Sequence, residues 1–235
     1  MRALIDGDVV AYRAAFIGQN EGWLEDEAKD SAKWLVEDWC KSAGCDTAIV
    51  CLSPPTTFRH TMSPLYKAHR KGRAKPSWLS EIREELQSAF DFACWGGVEA
   101  DDVMGILQSS DPDNSVTVTV DKDLMQVAGN HYNPVKKTAF KVSKEDGYRL
   151  FLTQWLTGDS TDGYRGIPGV GPKNAERLLG DPDLDPVRAV LNAYKAAELR
   201  YEYCLLQANL AMILQIENWD EENRQYRLWI PPEYD

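Results

Sequence analysis

Three short runs dictate most of what this chain can become. Ala3-Leu4-Ile5 ends at Asp6, Thr47-Ala48-Ile49-Val50-Cys51-Leu52 ends at Ser53, and the alternating, β-branched Ser115-Val116-Thr117-Val118-Thr119-Val120 ends at Asp121. Runs of this kind read as buried strands. Between the first two, Leu24, Ala28, Ala32, Leu35 and Trp39 keep the spacing of an amphipathic helix, closed by Gly44. Strand, helix and strand in that order imply a parallel sheet, and such sheets hold their ligands at the strand C-termini.

Carboxylates gather at that edge. Gly97-Val98-Glu99-Ala100-Asp101-Asp102-Val103 places three of them in four residues, directly before an apolar pattern at Ala100, Val103, Met104 and Leu107. The spacing starts a helix with Glu99 and Asp102 one turn apart. Alone, this segment reads first as acid that offsets a helix dipole. It is not alone: Asp6 and Asp8 follow the first strand, Asp121 and Asp123 the third, and Asp159 and Asp162 follow a helical pattern that stops at Gly158. Each member by itself has an ordinary explanation as a turn or cap residue. The set needs a cation.

The formal charge of −11 argues at first sight against a nucleic-acid partner. Leaving Asp8 aside, eight of the 37 acidic residues belong to these clusters, however, and six more lie between Glu217 and Asp235. The remainder is near neutral and can carry basic patches. One stands out: Lys67, Arg70, Lys71, Arg73 and Lys75 fall beside Tyr66 with no acid between them. It reads either as a solvated charge run or, favoured by the aromatic neighbour, as a phosphate-binding segment. No stretch approaches the ~20 apolar residues of a membrane span, so a cytoplasmic protein is expected. Five cysteines without C-x-x-C spacing and three scattered histidines make a zinc site a poor fit.

The organisation expected is an α/β domain over residues 1–142, with a basic excursion over about 54–96, followed by a helical region over 143–235 with an acidic tail. In the second region Tyr148, Phe151, Leu152, Trp155 and Leu156 outline a helix. Gly166-Ile167-Pro168-Gly169-Val170-Gly171-Pro172-Lys173 then makes a tight turn whose free N–H groups suit a phosphate. Val187 to Tyr194 and Ala196 to Leu214 read as further helices, and Trp229-Ile230-Pro231-Pro232 as extended chain packed on the body.

Carboxylates crowded at one sheet edge repel unless they share a cation. Oxygen-only donors select a hard ion, which favours magnesium or manganese. Two clusters joined by Asp121 and Asp123 can hold two ions about 4 Å apart, the arrangement used for in-line displacement at phosphorus. The implied reaction is phosphodiester hydrolysis, with Lys67 and Arg70 offsetting charge on the scissile phosphate.

Taken in order, Leu4-Ile5-Asp6-Gly7, Phe58-Arg59-His60, Tyr66-Lys67-Ala68-His69-Arg70, Glu99-Ala100-Asp101-Asp102, Asp121-Lys122-Asp123-Leu124, Gly158-Asp159-Ser160-Thr161-Asp162 and Gly166-Ile167-Pro168-Gly169-Val170-Gly171 resemble the 5′ nuclease, or flap endonuclease, family, its small stand-alone phage exonucleases above all. The resemblance spans roughly residues 3 to 180. It implies an α/β fold with a central, mostly parallel sheet flanked by helices, a helical arch and a helix-three-turn-helix (helix-hairpin-helix) DNA-binding element. By position it implies that Asp6, Glu99, Asp101, Asp102, Asp121, Asp123, Asp159 and Asp162 hold two Mg²⁺ or Mn²⁺ ions or their water. Asp6, Asp121 and Asp123 would act in catalysis with Lys67 and Arg70 at the arch base. Arg59, Tyr66, Lys71, Arg73 and Lys75 are read as DNA contacts, and Gly169, Gly171 and Lys173 as a duplex grip that also takes a potassium ion. The implied activity is release of short products from DNA 5′ ends, with cleavage at flaps or recessed ends and removal of RNA from RNA–DNA hybrids, by a monomer.

One departure stands out. The family usually has an aspartate where this chain has Ser53, and either Asp8 is expected to compensate in part or a water to take the missing position. Two rival readings remain: a non-catalytic protein that recognises branched or recessed DNA, and a ribonuclease on a similar sheet. Eight retained carboxylates speak against the first, because without metal they repel a phosphate backbone. The glycine turn, suited to duplex DNA, speaks against the second.

Overall fold

The computed structural model describes residues 1–232. Strand β1 (Arg2–Asp6) runs straight into α1 (Gly7–Glu21), because the Asp6 carboxylate accepts a hydrogen bond from Val9 N and caps the helix. Helix α2 (Glu25–Ser42) follows, then β2 (Thr47–Cys51), α3 (Phe58–Met62), α4 (Leu79–Ala89), β3 (Asp91–Ala93), α5 (Ala100–Ser110) and β4 (Ser115–Val118). After them come β5 (Gly129–Asn133), β6 (Thr138–Val142), α6 (Lys144–Thr157), α7 (Pro172–Leu178), α8 (Pro186–Ala196) and α9 (Tyr201–Ala211), and a small closing hairpin of β7 (Trp219–Asp220) and β8 (Gln225–Tyr226).

Six strands form one sheet in the order β3-β2-β1-β4-β5-β6, parallel except for β6 at the edge. The expected parallel sheet is present, with β1 at its centre between β2 and β4. Alternation divides β1 between two cores. Ala3 and Ile5 face α1, α2 and α4, while Leu4 faces α5 together with Ile213, Leu214 and Trp219. A third core joins α6 to α9. Asp6 ends β1 and Asp121 follows β4, so the carboxylates do meet at the C-terminal edge.

Several expectations change in the folded chain. The excursion over 54–96 is helical only in part: residues 68–70 form a single 3₁₀ turn and 71–78 are irregular. Lys67, Arg70, Lys71 and Lys75 would stack like charges at i, i+3 and i+4 in a continuous helix, and Pro64, Gly72 and Pro76 break it further. Helix α4 ends this excursion and sends Leu79, Ile82 and Leu86 into the sheet core. The helix expected from Ala196 to Leu214 is interrupted after α8 and stops at Ala211. Its last residues leave the helical region to pack under α5, where Asp102 accepts from Leu214 N and Gln126 from Ile213 N.

The tail does pack on the body, with the Trp229 ring against Phe151 and Trp155 and the Trp229 backbone N–H donating to Asn209. Glu233 and Asp235 lie outside the described residues. Among the described residues, no helix is long and apolar enough to cross a membrane.

Candidate active site

A cleft of about 900 Å³ opens at the C-terminal edge of the sheet. It is lined by the carboxylates Asp6, Asp8, Glu99, Asp101, Asp121 and Asp162 and by the basic residues Lys67, Arg70, Lys71, Lys75 and Arg83. Asp6 comes from the end of β1, where Thr119 donates to its second oxygen at 3.0 Å and so ties it to the end of β4. The same hydroxyl accepts from Asp121 N at 3.0 Å, and Asp121 in turn accepts from Asp123 N at 2.9 Å. One threonine thus sets the relative positions of three carboxylates.

These groups repel one another. Burial, then Asp8 and Asp121, push the Asp6 carboxyl up to about 7. Burial, then Asp6 and Asp121, push Asp101 well above the usual carboxylate range. Asp101 keeps some surface in the cleft although protein encloses it on most sides. Asp123 rises to about 6, through burial and then Asp121, against a hydrogen bond from Gln154. Among the described residues, no three acidic, histidine or cysteine side chains already converge on one metal-sized point. The donors suit a hard divalent cation nonetheless: all but His60 are oxygens, and Asp6, Asp101 and Asp121 bond to no cationic side chain among the described residues.

Glu99 and Asp102 are different. Glu99 accepts from Lys67 Nζ at 2.8 Å and Tyr66 OH at 2.7 Å. Burial opposes its ionisation, but Lys67 and Arg59 outweigh burial and hold its carboxyl down to about 2. Asp102 has no exposed surface; Arg59 holds both of its oxygens, at 2.6 and 2.8 Å, and Glu99 N donates to it at 3.0 Å. The expectations that Asp102 ligates metal and that Arg59 contacts DNA are therefore corrected: the two form a buried pair that fixes the start of α5. Tyr66 is corrected likewise. It is 2% exposed, and its hydroxyl joins Glu99 to Asp162 instead of meeting a base.

Asp159 and Asp162 lie on the loop after α6. Asp159 accepts from the backbone of Thr161 and Asp162, and Asp162 is reached by Arg70 at 3.2 Å and Lys67 at 3.7 Å. This loop closes against the basic segment through Lys67 N, which donates to Asp162 O at 2.8 Å. A Cβ on Gly163 would lie 2.4 Å from Leu65 O, so only glycine permits the approach. The expected clusters are thus brought together, Asp162 inside the cleft and Asp123 and Asp159 beside it.

Ser53 occupies its place without a carboxylate, and Asp8 does not stand in for one. Asp8 forms an ion pair with Arg83 and accepts from Ser53 N at 3.1 Å, while Ser53 Oγ accepts from Ala100 N at 2.9 Å. The Asp8 carboxylate is paired with Arg83 and used to hold the end of β2 against α5. Arg83 and Tyr12 escaped sequence reading, which named His60 only inside a motif and Thr119 only as a strand residue. Arg83 sits on the polar face of a helix, and nothing in its spacing points to Asp8, 75 residues away.

Away from the cleft, α6 and α7 flank the glycine turn. Gly169 adopts φ +81°, and a Cβ on Gly169 or Gly171 would touch nothing within 4 Å, so bare backbone faces solvent with Lys173 exposed beside it. Arg73 is likewise exposed on the irregular basic span.

With this geometry in place, comparison with known proteins is direct. The family model for the 5′-3′ exonuclease N-terminal resolvase-like domain matches residues 1–150. An exodeoxyribonuclease of Enterobacteria phage T3 is 27% identical over 97% of this chain and 92% of that protein. An exonuclease of Escherichia phage T7 is 29% identical over 82% of this chain and 71% of that protein. Among solved structures, the phage T5 5′-exonuclease with bound zinc shares the fold at a TM-score of 0.66, 18% identity and coverage of 90% and 89% of the two chains. A phage T5 flap endonuclease crystallised with DNA and metal ions does so at 0.67, 16% identity and coverage of 89% and 88%. The cleft, the sheet that builds it and the match over 150 residues place this chain in the 5′-3′ exonuclease family, as a nuclease.

Proposed function

We propose that the chain hydrolyses phosphodiester bonds near the 5′ ends of duplex or flapped DNA, with two divalent ions, Mg²⁺ or Mn²⁺, at the carboxylates of the cleft. The observation that carries this reading is that one cleft is lined both by carboxylates with no ion-pair partner among the described residues (Asp6, Asp101, Asp121) and by Lys67, Arg70, Lys71 and Lys75. Asp6, Asp101, Asp121, Asp123 and Asp159 would hold the ions, with Glu99 and Asp162 orienting bound water from behind. When bound, the ions would activate the attacking water and stabilise the leaving oxygen.

Lys67 is set to act at the phosphate. Its ammonium lies between Glu99 and Asp162, and although burial disfavours its charge, these two carboxylates outweigh that and keep it protonated. Arg70 is half-exposed at the mouth and can turn from Asp162 to a phosphate oxygen. Beyond the cleft, the open glycine turn at Gly169 and Gly171 with Lys173 would grip the duplex backbone, with K⁺ as its ion. The test is digestion in Mg²⁺ of a 5′-labelled duplex, a 5′-flapped duplex and an RNA–DNA hybrid. Short 5′ products support the reading and rank the substrates; products that begin at 3′ ends overturn it.

Neutralising Lys71, Arg73 and Lys75 to glutamine is expected to weaken DNA binding and to reduce the slope of log affinity against log salt by about 0.9 for each phosphate that is no longer neutralised. Affinity measured at low and at physiological salt checks this. A weakening that does not depend on salt would contradict it.

A further inference from the structure

The Asp123 carboxylate is held from behind by two buried glutamines. Gln154, on α6, donates Nε2 to Asp123 Oδ1 at 2.7 Å and accepts at Oε1 from Gln126 Nε2. Gln126 also donates to Ala211 O at 2.8 Å and accepts from Ile213 N at 3.0 Å. The two residues are only 7% and 3% exposed.

A primary amide is nearly symmetric in shape, so its partners decide which way it points. Here the decision is made at the far end. Ile213 N–H needs an acceptor and the Ala211 carbonyl a donor, which turns Gln126 one way only. Its Nε2 then faces Gln154, which must answer with Oε1 and present its own Nε2 to Asp123. Flipping either amide would set oxygen against oxygen in a buried place.

The kind of partner matters as much as its direction. Asp8 and Asp102 are each met by an arginine, which cancels their charge. Asp123 is met by a neutral donor that fixes one oxygen and leaves the charge intact, so the other oxygen stays available to a cation. We propose that Gln154 is a positioning residue for a divalent cation held at Asp123, and that Gln126 sets the direction of its amide. This rests on the metal-dependent reading above. It also links the backbone of residues 211–213 to a site carboxylate.

Titration calorimetry of Mn²⁺ into the metal-free protein tests this, with thermal midpoints recorded in EDTA in parallel. Gln154→Met, which keeps the length and removes the amide, should weaken Mn²⁺ binding on the order of tenfold. Gln154→Leu, which also removes the amide but with a different shape, should weaken it as much, which covers the case of a poorly folded methionine variant. Gln126→Met should give a smaller loss in the same direction. If both Gln154 variants bound Mn²⁺ as tightly as wild type and lowered only the EDTA midpoint, the glutamines would be packing alone and the proposal overturned. Wild-type protein that bound no Mn²⁺ would overturn the metal reading itself, and this inference with it.

Discussion

Asp101→Asn is expected to slow cleavage of a 5′-flapped duplex by about 10²–10³-fold while raising the thermal midpoint of the metal-free protein. The two effects have one cause. Asp101 stands with Asp6 and Asp121 in the cleft, and no cationic side chain among the described residues bonds to any of the three. Without metal they repel, and an amide at 101 removes the repulsion; with metal the same amide removes a ligand charge.

The pH dependence of the metal-free protein carries the same signature. The Asp6 carboxyl is pushed up to about 7, by burial first and then by Asp8 and Asp121. Between its ordinary value and 7 the folded chain holds a proton that the unfolded chain releases, so stability falls as pH rises through that window. In EDTA the wild-type midpoint should therefore be higher at about pH 5.5 than at about pH 8, and Asp101→Asn should narrow the gap. Single-turnover rates and calorimetry check both halves. An Asp101→Asn protein that cleaves at the wild-type rate, or melts lower in EDTA, would contradict the account.

Arg59→Met is expected to destabilise the fold by about 3–5 kcal/mol in denaturant titration, the cost of leaving one member of a buried ion pair unmatched. Arg59 is 1% exposed and bonds Asp102, Glu99 and the carbonyl oxygens of Leu210 and Met212. It joins α3, the start of α5 and the end of α9. Combining it with Asp102→Leu should recover part of the loss, since both charges are then gone, but not all. Asp102 also accepts from Glu99 N and Leu214 N, which would lose their acceptor. Full additivity of the two single losses would show that the pair is not coupled.

How much of this could be read from residues alone follows from where the information lies. β1, β2 and β4 were legible because they are written as unbroken apolar or β-branched runs, β1 and β4 buried almost throughout and β2 at its C-terminal end. β5 was missed because Gly129-Asn130-His131 carries no such pattern, and His131 is buried by bonding to Val127 O instead. β3 was missed because two of its three residues are exposed. Helix α1 was hidden behind Gly7 and Asp8, which read as a turn until the Asp6 carboxylate is seen to cap it.

The site divides in the same way. Spacing within a few residues picked out every carboxylate in the cleft, yet it could not separate Asp101, which opens to the cleft, from Asp102, which turns away. That distinction belongs to Arg59, 43 residues distant, and only the fold brings it there. Ser53, where the resemblance leads one to expect an aspartate, looked like a gap for Asp8 to fill, but the fold pairs Asp8 with Arg83 from another helix.

The central claim, a metal-dependent 5′ nuclease at this cleft, is tested most directly by incubating a 5′-labelled flapped duplex with wild-type protein in Mg²⁺ and in EDTA. The account predicts short 5′ products in Mg²⁺, none in EDTA, and recovery when Mg²⁺ is restored. Equal cleavage in EDTA, or binding of the duplex with no cleavage in either Mg²⁺ or Mn²⁺, would contradict it.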